Sequence, residues 1–238
     1  VAAAVPAPSA FGYLQANVWT SLGPPAEVRG VVVVPADPPV VYAGTFLSGI
    51  QRSTTGGNSW TVVYSLGTNM FLGRRADPLV LLSAQGGVVR STDGSIWERA
   101  LTASGLWRMS DPDGPFILAA TFDGDLYRST DWGATWAPAP RPTVGGIWSV
   151  GVDPRNSANQ LITQVDETST FGFYRTTDSG NTWTRLDQYG ADHLFYDPQI
   201  ADKIYRVSPV SFEVSVDGGA TWTVRCWLTV GARRGKID

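Results

Sequence analysis

A short motif that recurs along the chain constrains the fold more than any other feature of the sequence. The motif is Ser/Thr-x-Asp-x-Gly-x-x-Trp, and five segments of the 238-residue chain fit it. They run over residues 52–60, 90–97, 128–136, 175–183 and 215–222. The first has Thr55 in place of Asp, and the second is one residue shorter between its Ser and its Trp. Regular internal repeats indicate a fold built from similar units.

Two markers set the size of the repeated unit. The motif tryptophans lie 37, 39, 47 and 39 residues apart, and an Asp-Pro dipeptide precedes each by 20 to 30 residues. Each repeat divides into four short runs rich in β-branched and aromatic residues, separated by Gly, Pro, Asp and Asn. A period of about 40 residues with this pattern is typical of one four-stranded blade of a β-propeller.

We therefore predict an all-β fold, a β-propeller of about five four-stranded blades. The motif forms the turn between strands 3 and 4, and strand 4 begins at the motif tryptophan. No stretch of ten or more residues has helical periodicity. A ring of six or more blades, completed by another chain, stays open as an alternative.

The two ends of the chain do not complete a repeat. Trp19 lies 41 residues before Trp60 and begins a segment similar to a fourth strand, but no motif precedes it. It could form an added edge strand, or the ring could be completed by another chain, or the C-terminus could be cut short. We divide the chain into a flexible N-terminal segment (1–16), a single propeller domain (17–226) and a C-terminal tail (227–238).

The motif residues are predicted to stabilise a corner. The Asp carboxylate and the Ser or Thr hydroxyl bond to the turn, Gly adopts a conformation that other residues resist, and Trp buries its ring. The arginines that precede four motifs, at positions 52, 90, 128 and 175, are expected to form salt bridges or to cover the tryptophan rings. The predicted corner residues are Ser53, Trp60, Asp93, Trp97, Asp131, Gly133, Trp136, Asp178, Gly180, Trp183, Asp217, Gly219 and Trp222.

These segments resemble Asp-boxes, also called BNR repeats. Such repeats occur in sialidases, xyloglucan-degrading glycosidases, sortilin-type receptors and photosystem assembly factors. The resemblance covers about residues 28–225 and implies the propeller fold. It implies no single function, because these families share the repeat and not the chemistry.

The resemblance implies that a ligand would bind on the face formed by the loops between strands 2 and 3 and between strands 4 and 1. Candidates on that face are Phe46, Phe122, Trp107, Trp148, Tyr189 and His193. Glycoside hydrolysis commonly uses two carboxylates across one sugar bond. The weak catalytic candidates are Asp123, Asp125, Asp166 and Glu167, each of which could equally be an ordinary turn residue.

Composition excludes several other classes of function. The net charge is −3 with 16% charged residues, which argues against a nucleic-acid partner. No apolar run approaches the roughly 18 residues of a membrane span. The chain has one cysteine, Cys226, and one histidine, His193, which excludes Cys-cluster and multi-His metal sites. We predict no metal and no cofactor.

The resulting prediction is a non-catalytic, exported β-propeller that serves as a binding module or structural subunit, with another protein or a glycan as partner. Association with a membrane complex is a further possible role of such a module. The Ala/Pro-rich residues 1–10 are expected to follow a removed signal peptide, which predicts an extracellular or periplasmic location. The alternative is a small glycosidase or carbohydrate-binding propeller that acts through the loop face. The Arg-Ile-Pro motif typical of sialidases is absent.

Overall fold

A computed structural model describes residues 23–24, 26–46, 48–65, 72–76, 79–84, 86–110 and 114–228. In residues 72–76 and 79–84, and at Trp107, it describes the backbone alone. Across these ranges the regular structure is entirely β, with no helix that could cross a membrane. The all-β prediction is therefore confirmed. The predictions for residues 1–16, Trp19 and the tail beyond Leu228 lie outside the described residues.

The described strands form five four-stranded antiparallel sheets, in each of which the strand order follows the chain. Sheet 1 contains β1 (Val28–Val34), β2 (Val40–Thr45), β3 (Gly49–Ser53) and β4 (Thr61–Tyr64). Sheet 2 contains β5 (Leu72–Ala76), β6 (Leu79–Ala84), β7 (Gly87–Ser91) and β8 (Glu98–Thr102). Sheet 3 contains β9 (Leu106–Met109), β10 (Ile117–Thr121), β11 (Leu126–Ser129) and β12 (Ala137–Pro138).

The last two sheets follow the same pattern. Sheet 4 contains β13 (Gly145–Val152), β14 (Gln160–Asp166), β15 (Phe171–Thr176) and β16 (Thr184–Asp187). Sheet 5 contains β17 (His193–Tyr196), β18 (Ile204–Val207), β19 (Ser211–Ser215) and β20 (Thr223–Trp227). First strands pack side by side along the series, β1 beside β5, β9 beside β13 and β13 beside β17. Sheets that pack face to face around their first strands make a β-propeller.

An apolar cluster lies between each consecutive pair of sheets. Strand β10 shows why, because all five of its side chains are buried and they face sheets 2 and 4 alternately. The clusters are Val32, Tyr42, Ile50 and Val89 between sheets 1 and 2; Val88, Leu106, Met109, Ile117 and Ala119 between sheets 2 and 3; Leu118, Ala120, Leu126, Ile147, Val150 and Ile162 between sheets 3 and 4; and Leu161, Phe173, Leu194, Tyr196 and Ile204 between sheets 4 and 5.

The segment between the third and fourth strands of each sheet, which we call the corner, is held by side-chain hydrogen bonds. In sheet 3, the Ser129 hydroxyl donates to Asp131 (2.8 Å) and accepts the Gly133 N–H (2.8 Å). Asp131 also accepts the backbone N–H of Thr135 at 2.8 Å and its hydroxyl at 2.5 Å. Sheets 4 and 5 repeat these bonds around Asp178 and Asp217.

The corner of sheet 1 makes equivalent bonds without a carboxylate. The Thr55 hydroxyl accepts the backbone N–H of Ser59 at 2.9 Å, and the Ser53 hydroxyl accepts the N–H of Gly57 at 2.8 Å. A hydroxyl therefore replaces the carboxylate as the acceptor that organises the turn.

Strand 4 begins one residue later than predicted. Trp60 belongs to the corner, and β4 begins at Thr61. The Trp60 indole N–H donates back to the Gly57 carbonyl at 2.9 Å, which ties this side chain to the turn. The same bond recurs from Trp136 and from Trp222, at 3.1 Å in both.

The corners of sheets 2 and 5 also contact the sheet before them. The Trp97 ring lies 6.5 Å from that of Tyr42 in sheet 1, and the Trp222 ring lies 5.6 Å from that of Phe173 in sheet 4, both edge-on. Edge-to-face pairs at this separation add about 0.5–1.5 kcal/mol to the stability gained from burial. The corners therefore connect neighbouring sheets as well as neighbouring strands.

At the same interfaces, an arginine on the third strand of one sheet bonds to the corner of the next sheet. Arg90 donates from Nε to the Trp132 carbonyl in the corner of sheet 3 (3.2 Å), and Arg175 donates to the Gly218 carbonyl in the corner of sheet 5 (3.0 Å). A Cβ at Gly218, whose φ is +71°, would collide with the Arg175 guanidinium. These arginines thus bind the backbone of the next corner, a partner that the sequence analysis did not predict.

The corner hydrogen bonds change the acidity of the corner carboxylates. Those from the Thr176 and Thr182 hydroxyls lower the pKa of Asp178 to about 2. Those from the Thr221 hydroxyl and backbone N–H lower the pKa of Asp217 to about 2. Since an unfolded Asp titrates near about 3.9, these carboxylates stabilise the fold above that pH, and the stabilisation is lost as the pH falls towards about 2.

The double variant Asp178→Asn/Asp217→Asn is expected to be less stable at neutral pH and to lose less stability between about pH 4 and pH 2 than the wild type. Urea unfolding measured across that range gives the slope of the unfolding free energy against pH. Glu167→Gln, which removes an exposed carboxylate outside the corners, should keep the wild-type slope. An equal slope in the double variant and the wild type would contradict the corner role.

Candidate functional site

The described loops opposite the corners of sheets 3 and 4 are joined by hydrogen bonds into one face. The Phe122 N–H, after β10, donates to the Gly105 carbonyl before β9 at 2.9 Å, which joins a 2–3 loop to a 4–1 loop. The Gln164 side chain, at the end of sheet 4, donates to the carbonyls of Thr143 (2.7 Å) and Gly145 (2.8 Å). We call this surface the loop face.

A row of aromatic side chains crosses the loop face from sheet 3 to sheet 4. The Phe122 ring lies 6.1 Å from that of Trp148, and Trp148 lies 5.9 Å edge-on from Phe171. The Trp148 indole N–H donates to Asp192 at 3.0 Å, so the ring orientation is fixed. Two of the predicted candidates, Phe122 and Trp148, are therefore neighbours, and Phe171 joins them.

A groove of about 740 Å³ opens on the loop face between sheets 4 and 5. This volume lies within the range of about 300–1,000 Å³ that small-molecule sites occupy. One wall comes from the link between β16 and β17, and the other from the β18–β19 loop, the corner residues 220–222 and the end of β20. The side chains that define it are Trp148, Phe171, Leu186, Asp187, Tyr189, Asp192, Arg206, Val210, Glu213, Trp222, Val224 and Trp227.

Arg206 lines the groove and is its most constrained side chain. The residue is only 3% exposed, and its guanidinium donates to Asp187 (2.6 Å) and to Glu213 (2.9 Å from Nε). The same guanidinium lies 4.1 Å from the Trp222 ring centroid. The backbone N–H of Tyr189 donates to the other Asp187 oxygen at 2.8 Å. Arg206 is thus neutralised by two carboxylates and stacked on a corner tryptophan.

Two large aromatic side chains of the groove remain open to water. Tyr189 is 60% exposed and Trp227 is 71% exposed. Because burial of aromatic surface is strongly favourable, exposed aromatic rings that share a concave surface are typical of binding sites.

The four catalytic candidates fall into two groups. Asp166 accepts the Thr168 hydroxyl (2.6 Å) and the N–H groups of Thr168 and Thr170 (2.9 Å each). The Thr168 hydroxyl makes the largest contribution to lowering the pKa of Asp166. This carboxylate therefore organises its own turn. Asp123, Asp125 and Glu167 are exposed in the loops after β10 and β14.

His193 lies at the start of β17, beside a cavity of about 20 Å³ that Arg108 and Asp192 also line. Its ring stacks on Phe195 with a centroid separation of 6.1 Å. Desolvation and the nearby Arg108 charge lower the pKa of His193. The imidazole therefore favours its neutral form at neutral pH.

The remaining candidates lie apart from the groove. Phe46 follows β2 in sheet 1, and the Arg29 guanidinium lies 4.8 Å from its ring centroid. Trp107 is in β9, and its side chain lies outside the described structure. No group of three or more metal-ligating side chains occurs among the described residues.

Sequence reasoning missed Arg206, Glu213 and Trp227. Arg206 and Glu213 lie within strands and carry no motif. Trp227 does carry a weak signal, since it lies five residues after the last corner tryptophan and outside the repeat pattern. Tyr189 was predicted, and it is the candidate that contributes an exposed ring to the groove.

The chain is similar to proteins that act on xyloglucan. It is 28% identical over 182 residues to a probable oligoxyloglucan-reducing end-specific xyloglucanase of Neosartorya fischeri, covering 66% of this chain and 22% of that protein. It is 28% identical over 198 residues to a xyloglucanase of Paenibacillus sp., and the match covers 74% of this chain and 19% of that protein. The chain therefore spans about a fifth of the length of these curated relatives. No protein family profile matches it.

Solved structures share the fold. The GH74 enzyme of Niastella koreensis superposes with a TM-score of 0.63 at 17% identity, covering 77% of this chain and 36% of that chain. The GH74 xyloglucanase of Xanthomonas campestris superposes with a TM-score of 0.61 at 17% identity, covering 76% and 35%. The propeller prediction is confirmed by these superpositions.

The prediction of a non-catalytic binding module or structural subunit is wrong. The proteins that resemble this chain are xyloglucanases and GH74 enzymes, which supports the alternative of a glycosidase or carbohydrate-binding propeller. The physical reason for the error is that loop aspartates serve both turns and catalysis. From the sequence alone, the absence of a known catalytic motif could not distinguish a non-catalytic propeller from a glycosidase.

Replacing Arg206 by Met, which keeps the aliphatic bulk and removes the charge, is expected to lower the free energy of unfolding by about 3 kcal/mol. The loss comes from leaving Asp187 and Glu213 without their cation. Urea denaturation monitored by circular dichroism measures it. The matched control is Arg185→Met at an exposed arginine, with an expected change below about 1 kcal/mol. Equal losses in the two variants would contradict the role given to Arg206.

Proposed function

We propose that this chain is a propeller segment of a β-glucan-directed glycoside hydrolase, with xyloglucan as its substrate class. The observation that carries the proposal is the groove on the loop face, which presents exposed aromatic rings to solvent. The names of the relatives supply the substrate class. Aromatic rings suit sugars, because the C–H faces of a pyranose are apolar while its rim of hydroxyl groups is polar.

The proposal assigns the acid–base chemistry to carboxylates of the loop face. Hydrolysis of a glycosidic bond uses two carboxyl groups, about 5–5.5 Å apart for retention and about 6.5–9.5 Å for inversion. Asp123, Asp125 and Glu167 are the candidates, because each lies in a loop of this face and is open to substrate. Asp166 is the weakest of the four, since its Oδ1 already accepts three hydrogen bonds from its turn.

We also propose that the corners are Asp-box repeats and that each of the five sheets is one blade. The recurring bonds among the Ser or Thr, the Asp and the Gly of the corner support the first part. The apolar cluster between each consecutive pair of sheets supports the second. A polysaccharide substrate cannot enter a cell, so the proposed location is extracellular.

Purified protein is expected to release reducing sugars from xyloglucan and none from sialosides. Single substitutions Asp123→Asn, Asp125→Asn and Glu167→Gln test the carboxylates, and loss of an acid or base should reduce kcat by about 10²–10⁴-fold. Glu98→Gln, a carboxylate on the corner side of sheet 2, is the control and should keep wild-type turnover.

Turnover that survives all three loop substitutions would overturn the carboxylate assignment. Wild-type protein that neither binds nor cleaves any β-glucan would overturn the proposed function itself.

A further inference from the structure

We infer that the groove between sheets 4 and 5 is a binding subsite for an uncharged β-glucan chain, with Tyr189 and Trp227 as its stacking platforms. The inference rests on the proposed function and locates its sugar-binding subsite in one groove. It goes beyond the loop face in general, because it selects one interface between sheets and names the side chains that contact sugar.

The first argument is charge. The groove is lined by one cation, Arg206, and by the carboxylates Asp187, Asp192 and Glu213. Arg206 is engaged by Asp187 and Glu213 together, and Asp192 accepts the indole N–H of Trp148. No cation that lines the groove is left over for an anionic ligand. The carboxylates would repel a uronate polymer, so the matching ligand is neutral.

The second argument is the contrast between the half-buried and the exposed aromatic residues of the groove. Trp222 is covered by the Arg206 guanidinium at 4.1 Å and packs edge-on against Phe173, so its role is structural. The Arg206 guanidinium also lies 5.9 Å from the Tyr189 ring centroid, but Tyr189 and Trp227 remain 60% and 71% exposed. A soluble protein that leaves two large rings open in one concave surface offers flat apolar area to a ligand.

The third argument is rigidity. The backbone N–H of Tyr189 donates to Asp187, and Asp187 is bonded to Arg206, so the loop that carries this ring is anchored to sheet 5. The Glu213 carboxylate is fixed in turn by the Ser211 hydroxyl at 2.7 Å. In β20, Trp227 pairs with Ser211 in the strand register. One hydrogen-bonded network therefore orders the parts of the chain that carry both rings, which reduces the entropy lost on binding.

Polar groups for sugar hydroxyls are available in the same groove. The Thr221 hydroxyl lies along its wall and donates to Asp217, so it can still accept a hydrogen bond from a sugar hydroxyl, and Pro209 in the β18–β19 loop adds a backbone carbonyl. A few polar groups among apolar walls are the usual composition of a specific small-molecule site. A neutral oligosaccharide presents both the apolar faces and the hydroxyl groups that this lining requires.

The test uses isothermal titration calorimetry with a xyloglucan oligosaccharide and, as a charged probe, an oligogalacturonate. Tyr189→Ala and Trp227→Ala are each expected to weaken binding of the neutral oligosaccharide at least tenfold. Tyr189→Phe, which keeps the ring, should bind within about twofold of the wild type. Ile96→Ala removes an exposed apolar side chain in the corner of sheet 2, outside the groove, and should also leave binding unchanged. The exposure of these side chains leaves folding intact, and thermal unfolding midpoints verify this.

Three outcomes would overturn the inference. Wild-type affinity in both alanine variants would mean that the sugar binds elsewhere, and the proposed function would survive. Tighter binding of the oligogalacturonate than of the neutral oligosaccharide would overturn the argument from charge. Absence of both binding and turnover in the wild type would overturn the subsite and the proposed function together, and the groove would then serve another kind of partner.

Discussion

Contact between the faces of neighbouring sheets is the constraint on which the rest of this structure depends. A four-stranded sheet buries little by itself, and here each sheet covers an apolar face of the next. Two interactions of the corner strengthen this contact between sheets. Its tryptophan packs back on the preceding sheet, as Trp222 does on Phe173, and its backbone accepts a hydrogen bond from an arginine of that sheet, as Gly218 does from Arg175. Bonds within the corner keep both groups in position.

The interface between sheets 4 and 5 contains both packed side chains and the groove. The Trp222 ring packs on the apolar cluster of this interface, and the groove extends from the loops to the corner residues beside that ring. Arg206 lies at the boundary, because its guanidinium stacks on Trp222 and also lines the groove through its pairs with Asp187 and Glu213. The corner residues Thr221 and Trp222 also line the groove, so structural groups and the proposed ligand-directed groups adjoin along a single interface.

Carboxylates show how the two roles can be distinguished. Asp131 and Asp166 accept hydrogen bonds from groups within four residues of themselves, which makes them organisers of their own turns. Asp187 is bonded to Arg206, 19 residues away in sheet 5, and so connects two sheets. Asp123 and Glu167 are exposed on the loop face, where a substrate can reach them. Each of these residues carries a carboxylate, and only the hydrogen-bond partner distinguishes a turn residue, a link between sheets and a group open to substrate.

The sequence by itself determined the strands, the repeat and the corners. Corner bonds join residues two to four positions apart, as from Ser129 to Asp131, so they leave a pattern that can be found by eye. The bond from the Trp60 indole N–H to the Gly57 carbonyl is equally local. Tertiary structure alone decided the Arg206–Asp187 pair, the groove and the exposure of Trp227, because these depend on how two sheets meet. Contacts of that kind join distant positions without a fixed spacing, and a single sequence has no periodic signal for them.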